Sequence, residues 1–213
     1  MNILLLDASS EITSFGLSKN GEIVFQNELN SENNADSLTY EVKNRFNSSG
    51  LSFEDIDYIS LSNGPGSFTG LRISSAVAKG MCYSLDKKLI EINSLDILAD
   101  SVITENSTQK IIPLISSNMR TGEFYFAEYV REHNDLNRTS EYRMETIGSV
   151  SKDAIIVSRK NLSESLDIRK VSKEQEMASQ NRLSLLKIEN KQFADIMTSE
   201  PFYIKDFVPL KKQ

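Results

Sequence analysis

Only a few residues in this 213-residue chain are placed to do chemistry, and each lacks an obvious partner. Asp7 closes the apolar run Ile3-Leu4-Leu5-Leu6 and precedes Ala8-Ser9-Ser10, so a strand delivers its carboxylate to a turn. No basic or histidine partner for it is identifiable, and its surroundings favour a carboxylate that holds the turn by accepting hydrogen bonds from backbone donors. His133 is the single histidine, within Arg131-Glu132-His133-Asn134-Asp135, so a metal site with two imidazoles is impossible in one chain. A serine-histidine-aspartate triad would have to recruit that same His133, and no G-x-S-x-G elbow lies near it. Cys82 is the single cysteine, which excludes a disulfide framework and an internal zinc-thiolate cluster and reads as a small buried residue.

The stretch Asn63-Gly64-Pro65-Gly66-Ser67-Phe68-Thr69-Gly70-Leu71-Arg72 is where a strand stops and a long helix starts. Residues 59–62 alternate apolar and small polar side chains, Gly64-Pro65-Gly66 supplies turn chemistry, and Ser67 is the expected N-cap. Glycines at a helix N-terminus would suit an anion, but the stretch is neither G-x-x-x-x-G-K-[ST] nor G-x-G-x-x-G, and no lysine follows the turn. Residues 67–85 carry only two charged side chains, Arg72 and Lys79, on one narrow stripe with Ser75 between them. Leu71, Ile73, Val77, Met81 and Leu85 are large, while Gly70, Ser74 and Ala78 recur every four residues and form a second face open to close approach. Such a helix needs two coverings, and the second is either another helix of the same chain or another subunit.

The elements around this stretch read as an α/β domain. Strands are expected at 2–7, 12–18 and 23–25, the last two joined by the hairpin signal Asn20-Gly21. A helix over about 35–47 presents Leu38, Val42 and Phe46 and ends at Gly50. The strand at 58–61, the glycine turn with its helix, a strand at 89–92 and a helix capped by Asn93 or Ser94 through about 104 complete the first unit. Strands reached by helical crossovers should lie parallel, giving a mixed sheet. The second unit has strands at 110–115 and 123–130 around an Arg120-Thr121-Gly122 turn, a polar region over 131–153, a short strand at 154–157, and a helix over 172–188 with Met177, Leu183, Leu185, Leu186 and Ile188. The boundary is expected between residues 108 and 109, with the second copy cut down.

The net charge of −6 is uneven: residues 1–109 carry 7 basic against 15 acidic side chains, and residues 110–213 carry 17 against 15. An acidic first half would repel a nucleic-acid backbone, so strong RNA binding by this chain alone is not expected. No apolar run approaches membrane-spanning length and no basic region precedes the first strand, so a cytoplasmic protein is expected.

The run N-G-P-G-S-F-T-G-L-R-I at residues 63–73, some fifty residues after L-D-A-S, resembles the TsaB (YeaZ) family, and Pro201-Phe202-Tyr203-Ile204-Lys205-Asp206-Phe207-Val208 is similar to the way such chains end. The resemblance implies the actin/Hsp70/sugar-kinase (ASKHA) fold of two related lobes, here with the second reduced. It implies a non-catalytic subunit, without cofactor or metal, that supports the catalytic paralogue TsaD in transferring a threonylcarbamoyl group to the tRNA adenosine 3′ of the anticodon. TsaE and TsaC belong to the same pathway, tRNA would be met only indirectly, and a homodimer would use the same helix as the heterodimer. On this reading Phe68, Gly70, Leu71, Ser74, Val77, Ala78 and Met81 face the partner, beside the helix with Leu38, Val42 and Phe46. Asn63, Gly64, Pro65, Gly66, Ser67, Thr69 and Arg72 form the structural motif, and Asp7 is a vestige of a nucleotide site. The rivals are a degenerate ASKHA phosphotransferase or ATP hydrolase, and the peptidase of older family descriptions. Departures from the family pattern are Asp36-Ser37, Asn118-Met119-Arg120-Thr121 before Glu123-Phe124-Tyr125, and Ser158-Arg159-Lys160 in place of a glycine-rich turn.

Overall fold

The computed structural model describes the chain except residues 30–36, 103–107, 119–121, 134, 147, 149, 152, 163–165 and 205–213. Expectations for Ala35, Asp36, Met119, Arg120, Thr121 and 205–208 fall outside the described residues. β1 (Asn2–Asp7), β2 (Thr13–Lys19) and β3 (Glu22–Leu29) open the chain as an antiparallel meander. Asn20 and Gly21 both adopt positive φ in its second turn, the conformation that an asparagine-glycine pair tolerates at low cost. α1 (Leu38–Ser48), β4 (Tyr58–Ser62), α2 (Phe68–Leu85), β5 (Lys88–Ile92) and α3 (Ser94–Asp100) follow. β4 pairs parallel with β1 and β5 parallel with β4, so the first sheet has the order β3-β2-β1-β4-β5.

The second half repeats that plan in space. β6 (Gln109–Asn118), β7 (Glu123–Phe126), β10 (Arg143–Thr146), β11 (Ile155–Ser158) and β12 (Ile168–Lys170) lie in the order β10-β7-β6-β11-β12, again two antiparallel pairings followed by two parallel ones. Among the described residues no α-helix stands between β10 and β11 or between β11 and β12, where the first half has α1 and α2. The long strand expected over 123–130 is broken at Ala127-Glu128: β7 pairs with the later part of β6, while β8 (Tyr129–Glu132) pairs with its start and continues into β9 (Asp135–Arg138). The region read as merely polar thus contains β9 and β10, whose side chains are mostly exposed or half-buried and carry no apolar alternation.

Packing crosses the expected 108/109 boundary in both directions. Leu95, Leu98 and Ala99 of α3 pack with Ile111 and Val157 of the second sheet. α4 (Lys173–Glu189) returns to the first sheet, where Met177 meets Ile3 and Leu5. The opposite face of β1, Leu4 and Leu6, packs with Leu38, Val42 and Phe46 of α1 and Ala78 and Met81 of α2. β1 is therefore sandwiched between helices from both halves. Among the described residues no helix is long and apolar enough to cross a membrane.

α4 corrects the apolar reading of that segment. Its buried face is largely polar, with Glu176, Ser179, Gln180, Asn181 and Ser184 beside Met177, while Leu186 is half exposed to solvent. Most of these polar groups are paired, although Asn181, whose amide donates to the Gly21 carbonyl at 2.8 Å, keeps its Oδ1 without a partner among the described residues. The Gln180 amide donates to the Leu6 carbonyl at 3.2 Å and to Ser60 Oγ at 3.1 Å, Ser184 Oγ donates to Ser60 Oγ at 2.7 Å, and Ser179 Oγ donates to the Ile97 carbonyl at 2.8 Å. Gln180→Ala should therefore cost about 1–3 kcal/mol of stability in urea unfolding, by removing the buried donor that Leu6 and Ser60 share.

Candidate functional site

The glycines of the turn are explained by the chain itself. A Cβ built on Gly66 would lie 2.0 Å from the Ser9 carbonyl oxygen, and one on Gly70 would lie 2.0 Å from that of Ala8. The start of α2 therefore presses directly onto the loop after β1. Gly64 has φ +111°, and its Cβ would meet the Phe202 carbonyl oxygen at 2.7 Å. The Ser67 amide donates to the Ser9 carbonyl at 2.9 Å, and Ser67 Oγ accepts from the Gly70 amide at 3.3 Å as the expected N-cap. An anion cradle would need the Ser67 N–H free, and here it is spent on the protein.

α2 is turned differently from the expected orientation. Leu71, Ser74, Ala78 and Met81 are buried by the chain itself and so are not offered to a partner, while half-buried Val77 packs against the same core and Gly70 touches Ala8. The small face serves an intramolecular approach: it lets α2 lie close on β1 and β4, with Ser74 Oγ donating to the Gly70 carbonyl at 3.0 Å. Phe68 is half-buried between the Arg72 guanidinium, 4.1 Å from its ring centre, and the Tyr203 ring at 5.3 Å. The outward stripe is Thr69, Arg72, Ala76, Gly80 and Tyr83, with Tyr83 78% exposed. Among the described residues, nothing outside its own helix turn lies within 4 Å of a Cβ built on Gly80. Glycine inside a helix costs about 0.5–1 kcal/mol relative to alanine, and that was the available signal for this stripe. On α1, Tyr40 is likewise exposed.

Asp7 has the partners that the sequence did not reveal. Its Oδ1 accepts from the Ser9 amide at 2.9 Å and Ser9 Oγ at 2.6 Å, which is the expected turn-holding role. Its Oδ2 accepts from Lys173 Nζ at 2.8 Å, and the Arg159 guanidinium stands 3.9 Å away. Arg159 also donates to Glu176 and, at 2.8 Å, to Ser9 Oγ, while Lys173 lies 3.5 Å from Glu176. Two carboxylates and two cations thus close a buried neutral quartet joining the end of β1, the residue after β11 and the start of α4. Burial works against ionisation of Asp7, but Lys173 and Arg159 outweigh it and hold the carboxyl well below the usual carboxylate range. Burial likewise works against the Arg159 charge, and Glu176 and Asp7 more than restore it. The segment 158–160 is therefore a source of cations at the place where a glycine turn was expected. Only a lysine and an arginine more than 150 residues from Asp7 in sequence carry this arrangement, and no local pattern announces it.

His133 sits exposed at positive φ in the turn between β8 and β9, with no polar contact to Asp7 in the described structure. Among the described residues no group of three His, Cys, Asp or Glu side chains converges as a metal site would require. Cys82 is buried, and burial pushes its thiol up to about 12, so it is a packed side chain and not a nucleophile.

Residues 25–201 match the family model described as TsaD: tRNA N6-adenosine threonylcarbamoyltransferase. The chain is 30% identical over 136 residues to the tRNA threonylcarbamoyladenosine biosynthesis protein TsaB of Escherichia coli (strain K12), covering 64% of this chain and 58% of that protein. It is 30% identical over 132 residues to TsaB of Haemophilus influenzae (strain ATCC 51907 / DSM 11121 / KW20 / Rd), covering 62% and 55%. The match thus spans somewhat more than half the length of these curated relatives. The solved structure of YeaZ from Pseudomonas aeruginosa superposes with a TM-score of 0.75 at 18% identity, over 95% of this chain and all of that one, and so shares the fold.

Lys173→Met should destabilise the protein by about 3 kcal/mol, because Asp7 and Glu176 would then share only Arg159. The same change in an Asp7→Asn background should cost much less, a coupling that urea unfolding of the four variants measures. The pH dependence has a fixed sign. The folded-state pKa of Asp7 is depressed below its unfolded value of about 3.9, so its contribution is complete above that value and is lost as pH falls. The stability advantage of the native chain over Asp7→Asn should shrink steadily below about pH 4.

Proposed function

The chain belongs to the TsaB (YeaZ) family, and from that premise we propose that it is a supporting subunit which binds a catalytic TsaD paralogue in threonylcarbamoyladenosine formation on tRNA. The observation that carries this reading is the outward stripe of α2. Ala76 and Gly80 leave room for a second backbone to come close, and Tyr83 stands beside them as an exposed aromatic anchor. Arg72 and Thr69 continue the stripe toward the glycine turn, and exposed Tyr40 belongs to the neighbouring helix. A second copy of the chain would compete for the same stripe. The commitment of both Asp7 oxygens to protein donors supports a role in which the chemistry, and any metal or nucleotide, belongs to the partner. TsaE and TsaC would act in the same cytoplasmic pathway. The acidic first half supports contact with tRNA through the complex and not through this chain alone.

Mixing the chain with TsaD at micromolar concentration should give a heterodimer by light scattering. Gly80→Arg should weaken it by about 100-fold or more, by placing a charge where two helices meet, while the urea midpoint of the free chain stays the same or rises slightly because glycine is lost from the helix. Ala78→Arg should instead unfold the chain, because Ala78 is fully buried within it. Absence of a complex, or ATP turnover by the isolated chain that Asp7→Ala abolishes, overturns the reading in favour of an autonomous enzyme.

A further inference from the structure

Resting on the docking role of α2, we infer that residues 199–204 act as a strap that sets the first turn of α2 and with it the shape of the docking stripe. The strap is fastened along its length. Ser199 Oγ donates to Glu91 at 2.5 Å, and the Ser199 carbonyl accepts from Lys79 Nζ at 2.9 Å, so the strap is tied to the middle of α2. The Phe202 amide donates to the Asn63 carbonyl at 2.8 Å, and the absence of a side chain at Gly64 is what lets the Phe202 carbonyl come close. Tyr203 then lies on Phe68, against whose ring the Arg72 guanidinium also rests.

The far side of the strap belongs to the second half. Phe202 meets the Tyr142 ring edge-on at 5.3 Å, and Tyr142 in turn donates to Asp96 at 2.8 Å. Ile204 packs on the core that contains Ile111, Tyr129 and Val157. The strap therefore connects the second core to the first turn of α2, whose other side presses onto the loop after β1. Gly70 and Leu71 there hold the helix start through Ser67, the former by a hydrogen bond of 3.3 Å. Removing Tyr203 takes one ring away from Phe68, the side chain on which the guanidinium of Arg72 rests, and Arg72 is itself a member of the outward stripe. Tyr203 is thus a positioning residue that acts through Phe68 and Arg72.

The test uses the full chain with Tyr203→Ala and, as the conservative control, Tyr203→Phe. In the free protein, hydrogen exchange of the Gly70 and Leu71 amides should accelerate about tenfold in Tyr203→Ala, and affinity for TsaD should fall about tenfold, with both restored in Tyr203→Phe. Weaker binding with unchanged exchange would make Tyr203 a direct partner contact and overturn the strap. Faster exchange with unchanged affinity would overturn the coupling to docking. A native chain that fails to bind TsaD removes the docking role and the coupling together, while the exchange measurement still decides whether the strap sets the helix start.

Discussion

Asp7 is buried and ionised, and its charge is tolerable only because cations from the far half of the chain reach it. Removing a carboxylate and an ammonium from water costs several kcal/mol per ion, and close pairing in the interior offsets that cost without a large surplus. The quartet is thus better understood as a constraint on geometry than as a source of stability. Lys173 is the first residue of α4, where the helix dipole disfavours a cation. Glu176, in the same first turn, suits the dipole, and together with Asp7 it compensates the misplaced ammonium. The start of α4 can therefore take its position only with β1 beneath it.

That requirement orders much of the molecule. β1 is covered by α1 and α2 on one face and by α4 on the other, and the loop that follows it receives the start of α2 at Gly66 and Gly70. The Ser9 carbonyl accepts the Ser67 amide, while the hydroxyl of the same residue accepts from Arg159. One short loop is consequently tied to the quartet, to the glycine turn and to the segment after β11. A cleft between two lobes that exists to open around a ligand would need these groups to be exchangeable. Here they are spent on one another, so the loop after β1 is fixed by the quartet, the glycine turn and the segment after β11 at once.

Much of the first half was legible because its signals are local. The apolar run of β1, the Asn20-Gly21 turn, the Ser67 and Asn93 caps and the stripe of Leu38, Val42 and Phe46 each specify their element without help from distant residues. The second half was harder for a physical reason. β9 and β10 are short and wet, so no alternation marks them, and α4 hides a polar face whose partners are carbonyls and hydroxyls of the first sheet. Periodicity counts apolar side chains, and it registers nothing when a helix is buried by hydrogen bonds. The charges around Asp7 are invisible for the same reason, since their partners lie beyond any window of sequence.

The orientation of α2 shows how a correct pattern can be assigned to the wrong contact. Gly70, Ser74 and Ala78 do form a close-packing face, but the surface that approaches it is the protein's own, with the Ala8 carbonyl at Gly70. Small residues on a helix say that something comes near and not what it is. Gly80 differs because, outside its own helix turn, no atom of the described residues comes within 4 Å of the space a Cβ would take, so the helix bears the propensity cost of glycine with no described contact to offset it. The docking proposed for this stripe would resolve that imbalance, with the neighbouring Ala76 and Tyr83 offering a shallow path for a second backbone and an aromatic wall beside it. The same residue type thus marks two different surfaces of one helix, one closed by folding at Gly70 and one open at Gly80.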